Sequence, residues 1–574
     1  MKKILYFLII LITIFLWSCS KGEWLDLNPK GKITSEEFKT PEGVEKLCIA
    51  AYAATGNDAN NSPISRWIFN FATGDAHKGG NTPSDMMDWH HMEVMKTLVP
   101  NNTAVYREWR FRMTNINRAN TALKYLNEIP DDKLSTKAQR IAEMRFLRAF
   151  NYFEFKCMFK YVPWLDETLE REAYQNISNR EFTSDQLWDK IAAEFRYCAG
   201  ILPDKQTTDP GRPDKWAAKA FLAKTLLFQA YQQNDNHQVT SINSAKLTEV
   251  NSLCDEIIAS SGHSLQPDYA NNFLYAYENG IESLWEIQFS VDDGTGVGRL
   301  DFGTSVNWPM DSRYGCCGFH NPTQNFVNAF KTDNNGLPMF DTYDQVALVT
   351  TQDFYNNNID PRFNHTIVVP GHPLKYKNDL ISTKAWARAI ESYGPNYSVK
   401  ELEDYRCVCF KKFPPFMSTS KNWSLIRFSE ILLWKAEALI ELNRQAEALP
   451  LINQIRTRSA NSTGRLKWDN GTPYCTYKCG TYIDGVNCTW TKDFARKALV
   501  WENRLETGLE GHRFFDLVRW GIAADYINKY YESEKKRKAV LADAFFTLGK
   551  NEYFPIPQDE INYSNGLYVQ NPGY

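Results

Sequence analysis

The chain has 574 residues, with 65 Lys and Arg set against 68 Asp and Glu for a formal net charge of −3. Hydrophobic residues make up 43% and charged ones 23%, which excludes a disordered chain and supplies a large core. The balanced charge argues against nucleic acid as a partner, since the densest basic cluster, Lys535-Lys536-Arg537-Lys538, has Glu532 and Glu534 beside it.

The first residues read as an export signal. Lys2 and Lys3 precede an apolar run from Ile4 to Trp17, broken only by Thr13. That run is shorter than the roughly 20 apolar residues a spanning helix needs. Leu16-Trp17-Ser18-Cys19 follows and resembles a lipobox, so residues 1–18 are expected to be a lipoprotein signal peptide. Cys19 then becomes the acylated first residue of a chain covering 19–574. The other reading is a short membrane anchor with an incidental cysteine; it is disfavoured because the run stops at that cysteine.

Helical patterns dominate two blocks, about 100–260 and 423–530. Tyr106–Tyr125 reads as a helix ended by Pro130. Ala138–Tyr161 pairs with it, carrying Ala142, Phe146, Ala149, Phe150 and Phe153 at helical spacing. Asp185–Leu202 and Lys215–Tyr231 form a second pair, the latter with Ala217, Ala218, Ala220 and Ala223 at packing positions. Ser244–Ser260 follows, then Ser424–Leu442 and Gln445–Ser459, with Leu425, Leu432, Ala436 and Leu439 assigned to one face. The expected fold is mostly α: a tetratricopeptide-like scaffold of helix pairs, each burying its face by stacking on the next. The alternative is an ordinary helical domain without repeats.

Residues 55–100 and 262–422 are different in kind. Gly262–Asn422 is rich in Gly, Pro, Asn and Tyr, with short alternating runs such as Ser283–Phe289 and Thr366–Val369. A loop-rich mixed α/β region laid over a rigid scaffold is where binding residues concentrate. Cys475, Cys479 and Cys488 in a Gly, Tyr and Thr-rich stretch suggest a loop disulfide rather than zinc, for no fourth ligand stands at proper spacing. Cys157, Cys198 and Cys254 read as buried thiols.

Several blocks in series resemble the SusD/RagB family. They include Arg427-Phe428-Ser429-Glu430-Ile431-Leu432-Leu433 and Glu502-Asn503-Arg504-Leu505-Glu506. Glu510-Gly511-His512-Arg513 running into Arg519-Trp520-Gly521, and the terminal Tyr553-Phe554-Pro555-Ile556-Pro557 with Asn571-Pro572-Gly573-Tyr574, continue the pattern. Arg145-Phe146-Leu147-Arg148-Ala149-Phe150 and Gly211-Arg212 match earlier family helices. Asn503, Thr507 and a long Ser462–Thr491 segment depart from it. The resemblance implies a surface lipoprotein that captures an oligosaccharide and sits as a lid on a SusC-like TonB-dependent outer-membrane transporter, with no cofactor, metal or catalysis. Glu23, just past Cys19, loosely resembles the surface-export signal of Bacteroidetes lipoproteins. Glu510, Arg513, Asp516 and Arg519, spaced three apart, are read as a structural charge network.

Pyranose faces pack on aromatic rings, and sugar hydroxyls pair with carboxylates, amides and guanidiniums. The family's site, by position, points to Trp67, Asp75, His77, Lys78 and Trp89 in the early loops. It also points to Trp308, Arg313 and Tyr314 in the middle region. Trp216 and Trp285 fall in regular patterns and read as core. Two other classes are weighed: a glycan-active hydrolase, which needs two facing carboxylates, and a structural transporter lid without its own ligand affinity. No G-x-S-x-G, H-E-x-x-H or P-loop motif is present, and Gly294-x-Gly296-x-Gly298 lacks the context of a nucleotide site.

Overall fold

A computed structural model describes residues 35–56, 66–294, 299–413 and 416–574. The expected signal peptide and Cys19 lie outside the described residues.

The scaffold is a stack of helices: α1 (Pro41–Gly56), α2 (Met87–Val94), α3 (Thr103–Glu128), α4 (Lys137–Phe159), α5 (Ser184–Ile201), α6 (Lys215–Ala230) and α7 (Ser244–Ser260). After the loop-rich region come α8 (Phe428–Glu441), α9 (Gln445–Asn461), α10 (Lys492–Thr507), α11 (Arg513–Arg519) and α12 (Ala523–Glu534). Local chemistry sets their starts. Asn102 caps α3 by accepting from Val105 N–H, Thr183 and Gln186 form a capping box on α5, and Asp214 accepts from Trp216 and Ala217 on α6. From α3 onward each helix packs on the next, and α7 packs on α8 although the loop-rich region separates them in sequence. The array is therefore continuous, as the tetratricopeptide-like reading requires. Trp216 and Trp285 are buried in its core.

Charge pairs stitch the stack. Arg145 and Arg148 of α4 both reach Glu194 of α5, at 3.0 Å each. The family blocks meet in one buried cluster, in which Arg362, Arg427, Arg456, Arg458 and Lys400 face Glu282, Asp360, Glu502, Glu506 and Glu510. Glu510 lies before α11, not on it, and pairs with Arg427 and Lys400 rather than Arg513. Arg519 does pair with Asp516, at 2.8 Å, and also reaches Glu437 of α8.

Of the short strands, four matter most for placing the loop-rich region: β1 (Ala76–Gly79), β2 (Ser283–Ile287), β3 (Phe319–Pro322) and β4 (Trp423–Arg427). β1 pairs antiparallel with β3, and β2 with β4 in the register Trp423↔Ile287 and Arg427↔Ser283. The expected helix over Ser424–Leu442 is thus divided. Leu425 belongs to β4, and α8 begins at Phe428, where the Glu430 carboxylate accepts the Arg427 N–H at 2.9 Å. Seven residues separate Leu425 from Leu432, so helical spacing alone cannot see the boundary.

The expected disulfide among Cys475, Cys479 and Cys488 is not formed. All three are free thiols: Cys475 is buried against Asn364 Oδ1 at 3.1 Å, and Cys479 Sγ faces the Arg456 carbonyl. The disulfides join Cys316 to Cys317 and Cys407 to Cys409. Cys157, Cys198 and Cys254 are buried thiols.

Candidate functional site

The β1–β3 pair brings together the two segments in which sequence placed the site. Ala76 lies opposite Pro322, His77 opposite Asn321 and Gly79 opposite Phe319. Gly79 has φ +83°, and a Cβ there would stand 2.5 Å from the Gly318 carbonyl, so only glycine allows this approach. Loop 309–318 closes on itself through Gly318 N–H donating to the Trp308 carbonyl at 2.9 Å, and it meets the same edge where the Gly318 carbonyl accepts the Gly80 N–H at 2.8 Å.

Most of the expected site residues turn inward here. Trp67 is buried, its indole N–H donating to the Gly303 carbonyl at 2.6 Å and its ring packed edge-on to Trp89 at 4.8 Å. Asp75 is fully buried and accepts from Arg504 Nε of α10 at 3.0 Å. His77 is clamped between Glu93 of α2 at 3.0 Å and Glu534 of α12 at 3.5 Å. Burial works against its charge, but those two carboxylates outweigh burial and raise its pKa to about 9. The Lys78 ammonium donates to the carbonyls of Thr82 (3.0 Å) and Asp85 and lies over the Phe319 and Tyr393 rings, and burial lowers its pKa to about 8. Trp308 and Tyr314 stack at 5.5 Å inside a separate small core with Leu374, Trp386 and Tyr397. These six side chains hold the junction together, and only Trp89 and Arg313 keep open surface.

What faces out is a shallow platform. The half-buried Trp89 packs edge-on against Phe319 at 5.4 Å. Beside it an exposed Arg388 donates to Asp85 Oδ2 at 2.8 Å, with its Nη1 3.5 Å from the Cys317 carbonyl. Met310, 40% exposed, has its N–H on the Trp386 carbonyl. Arg313 grips Asp311 through Nε (2.7 Å) and Nη2 (2.9 Å) and lies over Trp386 and Tyr405. That hydrogen bonding holds the Asp311 carboxyl below the usual range. Asp85, Met310 and Arg388 were missed by sequence reasoning. Arg388 is brought in from a loop that carries no motif, and only the long-range fold reveals its pairing.

By fold the chain is a tetratricopeptide-like helical array. The model of the SusD family matches residues 281–574, and a model described as starch-binding associating with outer membrane matches residues 23–227; the chain belongs to the SusD family. It is 23% identical to SusD-like protein P25 of Formosa agariphila over 545 residues, covering 90% of each chain. Among solved structures, a laminarin binding SusD-like protein superposes with a TM-score of 0.64 at 22% identity, over 93% of this chain and 100% of that one. Surface glycan-binding protein A from Bacteroides thetaiotaomicron, in complex with laminarihexaose, superposes with a TM-score of 0.65 at 21% identity, over 93% and 99%. These structural likenesses are likenesses of fold.

Proposed function

We propose that this chain is a lipid-anchored outer-membrane protein, facing the cell exterior, that binds an oligosaccharide and passes it to a SusC-like TonB-dependent transporter without breaking a bond in it. The observation that carries the reading is the half-buried Trp89 ring packed on Phe319, with the Asp85–Arg388 ion pair on the other side of Phe319 at the junction of two loop regions. A pyranose can lay its C–H face on such a ring while its hydroxyls pair with a carboxylate and a guanidinium. The platform is open and wet, which gives modest affinity and easy release, as delivery to a transporter requires. Relatives whose names record laminarin or laminarihexaose binding support the ligand class.

Hydrolysis fits this surface less well. A glycosidase needs one carboxyl kept protonated to act as acid. Here Asp85 and Asp311 are each engaged by an arginine, and Asp311 is held below its ordinary range. Cys19, outside the described residues, would supply the anchor.

Isothermal titration against neutral and acidic oligosaccharides, laminarihexaose among them, tests the reading. Trp89→Ala and Arg388→Ala are each expected to weaken the bound glycan about tenfold, the scale of one lost ring contact or one charge-assisted hydrogen bond. Unchanged affinity in both variants, or cleavage of the glycan by purified protein, would overturn it. Cys19→Ala should release the protein from the membrane fraction, and affinity purification of the anchored protein should bring the transporter with it.

A further inference from the structure

Among the described residues, a wide open groove lies elsewhere in the loop-rich region. It has a volume of about 980 Å³ and is walled by residues 274–276, 375–379, 403–407 and 464–471. The last wall comes from the long Ser462–Thr491 segment that departs from the family pattern.

Its walls are braced before any ligand arrives. Asn378 Nδ2 donates to Asp469 Oδ1 at 2.7 Å, and Tyr474 O–H donates to Asn378 Oδ1 at 2.9 Å. Arg465 ties its wall to the neighbouring one through Asp268 at 3.2 Å and Asn271 at 3.1 Å. The Cys407–Cys409 disulfide braces another. Lys375 and Tyr376 are consecutive non-glycine residues with φ of +48° and +63°. Such left-handed backbone is costly, and it is concentrated at binding and catalytic sites. The Lys375 ammonium is anchored inward on the Phe273 carbonyl at 2.7 Å.

Charge and rings say what the groove would take. Its acids are mostly engaged: Arg406 holds both Asp379 and Asp404, and Glu403 faces Lys375 and Lys421 at 3.5 and 3.3 Å. Among the described residues, Asp469 makes no ion pair and accepts instead from Asn378. Among the described residues, Lys377 and Lys467 are exposed and make no ion pair. Trp468 and Tyr275, both half-buried, offer ring surface in the same groove. Arg406 of this groove lies 5.2 Å from the centre of the Tyr405 ring, and Arg313 lies 6.0 Å from the same ring.

We propose that this groove is a second saccharide site for an acidic oligosaccharide, with sugar faces on Trp468 and Tyr275 and carboxylates or sulfates on Lys377 and Lys467. It rests on saccharide binding by this chain and adds the charge of the ligand. An anion on two exposed ammonium groups forms charge-assisted hydrogen bonds, and its affinity falls as salt rises.

The experiment is titration of the full chain with tetragalacturonate, a sulfated neocarratetraose and laminarihexaose at low and high salt. At least one acidic probe is expected to bind, and which one binds decides between carboxylate and sulfate. The Lys377→Ala/Lys467→Ala double variant is expected to weaken it about tenfold, and Trp468→Ala to weaken it severalfold, with any neutral binding unaffected by the lysine changes. Both lysines are exposed and neither makes an ion pair among the described residues, so the double variant should melt close to the parent. Binding of a neutral probe but no acidic one, or an acidic affinity indifferent to the double variant, would overturn the acidic-site proposal and leave the proposed function standing. Failure of every oligosaccharide, neutral and acidic, would overturn both.

Discussion

Replacing Glu506 with Gln removes one negative charge from the centre of the buried cluster and leaves its volume unchanged. Its carboxylate accepts from Arg427 Nη1 at 2.9 Å, Arg458 Nη2 at 2.5 Å and Arg362 Nη1 at 3.2 Å, and it is fully buried. Three charge-assisted bonds at about 1.5–3 kcal/mol each would set an upper bound. Two things reduce it: Gln keeps one acceptor, and the arginines retain Glu282, Glu510, Asp360 and Glu502. The expected loss is therefore about 3–5 kcal/mol, the usual cost of stranding a buried charge. It would be read from urea unfolding midpoints followed by tryptophan fluorescence. Burial works to raise the Glu506 pKa, but the guanidiniums of Arg458, Arg427 and Arg362 win and lower it beneath the ordinary 4.5. A carboxyl depressed on folding contributes stability above its unfolded value and loses it as pH falls through the folded one. The gap between parent and Glu506→Gln should thus be full at neutral pH and close progressively below 4.5. A gap under about 1 kcal/mol at neutral pH, well short of the usual range, or one independent of pH down to strong acid, would refute the reasoning.

Three other outcomes follow from the same geometry. His77 is raised to about 9 from 6.5, so its stabilisation is complete below 6.5 and lost as pH rises through 9. The melting difference between the parent and His77→Gln should fade across that window, and a difference that grows with pH would contradict the clamp. Trp308→Ala should cost about 3–5 kcal/mol because its ring fills a core, whereas Trp89→Ala, at a half-buried ring, should cost less stability while also weakening glycan affinity. Under native alkylation followed by mass spectrometry, partly exposed Cys488 should label before Cys475, whose thiol is buried and has its pKa raised by that burial. Equal labelling of the two would show the loop to be open.

The helices were legible because spacing and caps agree within each one, as Asp214 does for α6 and Thr183 for α5. The site was legible as an address and not as a set of side chains. Sequence found the two segments that meet at β1–β3, but it took Trp67, Trp308 and Tyr314 for surface because loops surround them. Trp308 and Tyr314 sit in a core that the loops build from residues scattered between 308 and 417, while Trp67 joins the main core, and no local pattern reveals either grouping. Asp75 likewise looked like a ligand group, and its partner Arg504 stands more than four hundred residues away. Arg388 and Asp85 form a pair by folding alone.

The β2–β4 pairing closes the loop-rich region where the chain leaves the helical stack and rejoins it. Ile287 and Trp423 face each other, so residues 288–422 leave the helical stack and return to it at one point. Both grooves and platforms that could meet a ligand draw on this excursion, while the helices on either side are already joined through α7 and α8. Lengthening a loop within such a closed excursion costs only about 0.6 kcal/mol per doubling. Ligand-facing loops can therefore be grown or trimmed between fixed posts, so long as Asp360, Arg362 and Lys400, which the excursion sends into the buried charge cluster, keep their places.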